Sequence, residues 1–127
     1  MSYFEPTVAQ ACPTISALGV VGATFSPSIA KSTGIITGTI NAPVTMSNIT
    51  ITDTVCDGLI VRVELTQGAI GGDVALWTAA NFVGSDLVPL TSVGLSIGVG
   101  KTDILVFEWS ASRGKWMLAG FFSGIAP

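Results

Sequence analysis

The chain contains no histidine, only two cysteines and few charges: Lys and Arg number five, Asp and Glu eight. Without histidine the commonest general base is missing, so acid–base catalysis has little to work with. Cys12 and Cys56 without a histidine make a poor zinc site. Arg62, Lys101, Arg113 and Lys115 form no run. Phosphate binding needs clustered Lys and Arg, so nucleic acid is not an expected partner. Long apolar runs are lacking too. The longest uncharged stretch, Pro6 to Ala30, is interrupted by Pro6, Pro13 and Pro27 and by many Ser, Thr and Gly residues. A spanning helix wants about 20 predominantly apolar residues, so no membrane partner is expected. The opening "MSYFEPTVAQ" carries an acid and no basic n-region, unlike a secretory signal.

What is present is apolar. Hydrophobic residues make up 49% of the 127 positions and charged residues 10%. An average soluble domain carries about 25% charge. A surface so poor in charge belongs in a membrane or under partners, and the second reading fits the broken runs. The length fits one domain with a core of its own. A reducing origin makes two buried free thiols the expectation for Cys12 and Cys56, with a single disulfide as the alternative.

Fifteen glycines and no sustained 3.6-residue period argue against helices. Residues 1–17, "MSYFEPTVAQACPTISA", read as an extended arm, and residues 18–127 as a β-domain. "LGVVGATF" and "GIITGTIN" are β-rich runs bounded by Ser, Pro and Gly. In "VTMSNITIT" the apolar parity changes between Val44/Met46 and Ile49/Ile51, which predicts a bulge near Ser47 and Asn48. "DGLIVRVELTQG" alternates cleanly. Leu59, Val61, Val63 and Leu65 face one way; Ile60, Arg62, Glu64 and Thr66 face the other. In "TDILVFEW" both faces are apolar, so this strand is expected to be central or covered twice. "SASRG" is a hairpin loop closed by Gly114, and "KWMLAGFF" returns. About eight short strands predict an all-β, antiparallel sandwich, jelly-roll-like in arrangement.

Several motifs fail on inspection. "GLSIGVGKT" ends like a phosphate-binding loop, but Leu95 stands where a glycine is required, and "DILVFEW" reads as a strand where a helix must open. The serines have no evident base partner. Asp53 and Asp57 flank a turn without the calcium-loop spacing, and turn geometry explains them better. Asp73 and Asp86 are scattered. Asn48 begins a glycosylation sequon that matters only on a eukaryotic secretory route. No catalytic, cofactor-binding or metal-binding residue is predicted, and no enzyme activity. The aromatics Trp77, Phe107, Trp109 and Trp116 are expected in the core or a subunit contact. Exposed indoles would instead offer a platform for sugars.

The order of segments from Gly58 onward resembles a β-domain of tailed-bacteriophage structural proteins. The corresponding pieces are "VRVELTQ", "GGDVALW", "VPLT", "TDILVFEW" and "GKWMLAG", with Gln67, Trp77, Pro89, Asp103 and Trp116 in sequence. Gly68 departs from the acid often found after the glutamine. The likeness covers about the last two-thirds of the chain. It implies a virion component, made in the host cytoplasm, with no catalytic residue carried over. A small, charge-poor β-domain with an arm looks like a capsid decoration, or cement, protein. Such a protein would sit on the capsid surface as a homo-oligomer, a trimer by expectation, against the major capsid protein. The same domain type occurs in tail fibres and tail tips, where it serves attachment to host-surface carbohydrate. Fibre domains belong to longer chains, whereas this one reads as starting at Met1, which ranks cement first. A sugar-binding module is a third reading. Tyr3, Phe4, Val8 and Ile15 are the arm residues expected to anchor on a neighbour. The alternative for the arm is an ordinary edge strand of the same domain.

Overall fold

The computed structural model describes residues 12–71, 75–84, 90 and 95–126. They form eleven strands and no α-helix. Three of the sequence runs become three of the four longest strands. These are β7 (Ile60–Gln67), β10 (Thr102–Ser110) and β11 (Lys115–Ile125). In β7 the inward residues Val61, Val63, Leu65 and Gln67 are buried, while Ile60 and Arg62 are exposed. In β10 Asp103, Leu105 and Phe107 are fully buried. The opposite face, with Ile104, Val106 and Glu108, is only half-buried. β10 is central, between β7 and β11, and both pairings are antiparallel. The turn between β10 and β11 closes where Gly114 N–H bonds the Ser110 carbonyl at 2.8 Å, with Gly114 at φ +62°.

The rest of the pairing is parallel, which corrects the antiparallel expectation. β1 (Thr14–Val20), β4 (Thr33–Ile40) and β7 lie side by side in one direction. So do β2 (Thr24–Phe25), β5 (Val44–Met46) and β8 (Ala75–Trp77). β3 (Ser28–Ile29) and β6 (Thr50–Ile51) make a third, two-stranded parallel sheet. The chain therefore winds as a short coil. Among the described residues the first two turns each lay a long strand on the first sheet and a short strand on each of the others, the third lays β7 and β8, and successive turns stack, as in a solenoid. β9 (Phe82–Val83) leaves this pattern and pairs with β11, giving the six-stranded order β1-β4-β7-β10-β11-β9.

The coil accounts for the parity change after Met46. Val44 and Met46 are buried from the second sheet, and Ile49 is buried beside the third. Between them the chain turns a corner, where Asn48 Oδ1 accepts the Ile49 N–H at 2.9 Å. The expected bulge is this corner. The interior is filled by stacked residues from neighbouring turns, such as Phe25 against Met46 and Ile36 against Val63. Phe107 contacts Trp77 and Phe82 at ring separations of 5.2 Å each, holding β10 onto the second sheet.

The sheet starts earlier than the expected domain boundary. Thr14 to Ala17 pair with Thr33 to Thr37 of β4, so the end of the arm at residue 17 is corrected. Pro13 fixes the point where the strand begins. It packs so closely over Gly34 that a Cβ there would stand 2.5 Å from the proline's Cβ. Gly34→Ala is thus expected to free the start of β1, read as faster amide exchange at Ile15 and Ser16 while β10 amides stay protected.

Candidate docking surface

The two ends of the coil differ. At one end the β10–β11 hairpin continues the long sheet beyond β7 and covers the last turn. At the other end β1, β2 and β3 are each the outermost strand of their sheets. Among the described residues no strand pairs with the outer edge of β1. Ile15 and Val20 on it are each 62% exposed. Just behind them the coil interior opens into a hollow of about 280 Å³, lined by Leu18, Val20, Val21, Phe25 and Pro27 among others. No charged residue occurs from Cys12 to Ala30. Edge strands of stable monomers are usually blunted by charge, especially lysine. β1 has only register shifts after Thr14 and Ala17, the second beside Gly19 at φ +69°. An apolar, uncharged edge next to an open interior is suited to accept a strand or loop from another polypeptide.

The predicted interaction residues divide. Ile15 lies on this edge. Tyr3, Phe4 and Val8 fall outside the described residues, as do Asp73, Asp86 and Pro89. Of the aromatics, Phe107 is fully buried, and Trp116 is 1% exposed. Trp77 and Trp109 are half-buried against the core. Trp116 donates its indole N–H to the Ile49 carbonyl at 3.1 Å and meets Trp109 edge-on at 5.3 Å. The indole N–H of Trp77 is buried without an acceptor among the described residues.

Three aspartates tie segments of the fold together. Asp53 accepts the Lys31 N–H at 2.9 Å, and Asp57 accepts the Ala111 N–H at 2.8 Å. Each ties one turn to another, and the two share no ligand. Asp103 is more deeply engaged. Its carboxylate, fully buried, accepts from Ser96 N at 2.6 Å, Ser96 Oγ at 2.8 Å and Gly124 N at 2.9 Å. It clasps the loop before β10 to the end of β11. The glycine-rich "GVGKT" forms a turn, with Lys101 N–H on the Gly98 carbonyl, and leads into strand β10. Cys12 and Cys56 are both free, and both are exposed, which corrects the expectation of buried thiols. Each lies outside the packed strands, Cys12 just ahead of β1 and Cys56 in the loop before β7.

No helix among the described residues is long and apolar enough to cross a membrane. No family profile, curated protein or solved structure matches the chain.

Proposed function

We propose that the protein is a structural component of a phage-type virion, a capsid decoration protein that docks onto the assembled shell. The observation that carries this reading is the open, uncharged first turn of the coil, with Ile15 and Val20 exposed on its outermost described strand. The resemblance of the segment order to phage β-domains supplies the virion context. The mechanism is passive: a partner that binds only the assembled shell stabilises it by mass action. Apolar fit gives the affinity, and little charge steers the encounter. The protein acts as a homo-oligomer, a trimer by preference, because an apolar surface of this kind resembles half of a domain core. Tyr3, Phe4 and Val8 extend the contact as a clasp on the neighbour.

A second reading is a tail-fibre or tail-tip domain. The stacked parallel turns favour it, because an open first turn can equally continue a preceding coil. Position in the purified particle separates the two. Density over the capsid supports decoration, and density at the tail supports the fibre.

Two variants test the surface itself. The double substitution Ile15→Lys with Val20→Lys changes exposed side chains, so stability is expected to move by no more than about 0.5 kcal/mol. Recovery of the protein with particles is expected to fall steeply. Wild-type recovery from a folded double variant would place the contact elsewhere. Removing residues 2–11 leaves β1 intact and is expected to weaken self-association in sedimentation while the body stays folded.

A further inference from the structure

We propose that the cleft beside Trp109 is a binding site for a single neutral sugar ring. This goes beyond the decoration reading and does not depend on it. The cleft has a volume of about 200 Å³ and lies between the corner after β5 and the β10–β11 hairpin. Sites for drug-sized ligands run from about 300 Å³ upward, so this one has room for one ring. Its walls include Trp109, Asn48, Thr50, Asn81, Ile51 and Val55.

Three features select the ligand. First, no lining residue is charged, so an anion such as a phosphate or a uronate finds no counter-ion. Second, polar capacity remains on the walls. Asn81 uses its Nδ2 on the Ser47 carbonyl at 2.8 Å, which leaves its side-chain oxygen as an acceptor. Asn48 uses its Oδ1 on the Ile49 N–H, which leaves its amide N–H groups as donors. The Thr50 hydroxyl makes no hydrogen bond among the described residues and can do either. Third, the indole of Trp109 supplies an apolar wall. A pyranose carries hydroxyls around its rim and C–H bonds on its faces. Those C–H groups, made electropositive by the neighbouring oxygens, suit the negative face of an indole. A purely apolar ligand would strand the amides, and a purely polar one would waste the ring.

The site is also stiff. Trp109 is held at 65° against Trp116, which is itself fixed by its bond to Ile49. Asn81 is tied to the corner it faces, so little ordering is lost when a ligand binds. One ring makes few contacts, and an affinity of about 1 mM is expected.

The test is titration of the whole chain with the methyl glycosides of glucose, galactose, mannose and N-acetylglucosamine. Tryptophan fluorescence and saturation-transfer NMR provide the readouts. Saturable binding of at least one glycoside is expected, weakened about tenfold or more in Trp109→Ala. Methyl glucuronide should bind more weakly than its neutral counterpart. Thr50→Val, which keeps the side-chain volume on an exposed position, guards against a Trp109 variant that fails to fold. It should weaken binding with the circular dichroism unchanged. Absence of saturation by all four glycosides at about tenfold above that affinity overturns the proposal. So does saturable binding that a folded Trp109→Ala and Thr50→Val both leave intact.

Discussion

Trp116→Ala is expected to destabilise the protein by about 3–5 kcal/mol, the cost of removing a large buried aromatic that the core cannot refill. The ring is 1% exposed. Its loss also strands the Ile49 carbonyl, which now accepts the indole N–H at 3.1 Å, and removes the edge contact that orients Trp109. Trp116 is thus the rivet between the C-terminal hairpin and the corner of the second turn. The expected result in urea is a midpoint well below wild type with a similar slope, since the same surface is exposed on unfolding. An unchanged midpoint would mean that the hairpin does not pack on the coil as described. Trp116→Phe should recover much of the packing but not the hydrogen bond. It should fall between the two.

Asp103→Ala is expected to cost roughly 2–4 kcal/mol, because three hydrogen bonds to one fully buried carboxylate are lost together, and bonds to a carboxylate are stronger than neutral ones. The donors are Ser96 N, Ser96 Oγ and Gly124 N, at 2.6–2.9 Å. Ser96 sits in the loop leading to β10 and Gly124 near the end of β11, so one carboxylate fixes both. Loss should therefore show locally as well as globally. Amide exchange at Ser96 and Gly124 is expected to accelerate more than exchange at Leu105 or Val63. Asp103→Asn keeps one oxygen acceptor and should lie between wild type and alanine. Equal exchange at all four amides would show that the carboxylate is not a local clasp.

The sequence made some of this legible and hid the rest for physical reasons. The alternation from Leu59 to Leu65 was readable because one face of β7 is buried and the other carries Arg62 and Glu64, which pair at 2.8 Å. The hairpin was readable because Gly114 marks its turn. Strand direction was not. Alternation reports which face is buried, and a parallel neighbour demands the same alternation as an antiparallel one. The coil does leave a trace. Thr14 lies beside Thr33, Phe25 beside Met46, and Ile29 beside Ile51, a repeat of about twenty residues. It is faint because β2, β3 and β6 are two residues long, too short to carry a period. Ile15 was singled out as an apolar residue of an arm. Its place on the outermost described strand of the sheet follows only from the parallel pairing with β4. The cleft beside Trp109 was invisible in the same way, since its walls come from the corner after β5, β6 and the loop after it, the residue before β9, β10 and β11.

The central claim is that the open first turn faces the partner, and the protein's own cysteines test it. Cys12 immediately precedes β1 at that end, and Cys56 lies in the loop tied to the β10–β11 turn through Asp57 and Ala111. Both are exposed and free in the isolated chain. Maleimide labelling of the particle-bound protein, compared with the same protein released, reads the two positions separately by mass spectrometry of their peptides. Strong protection of Cys12 in the particle, with Cys56 labelled at its free rate, is the predicted result. Cys12 labelled as fast on the particle as off it would contradict the account.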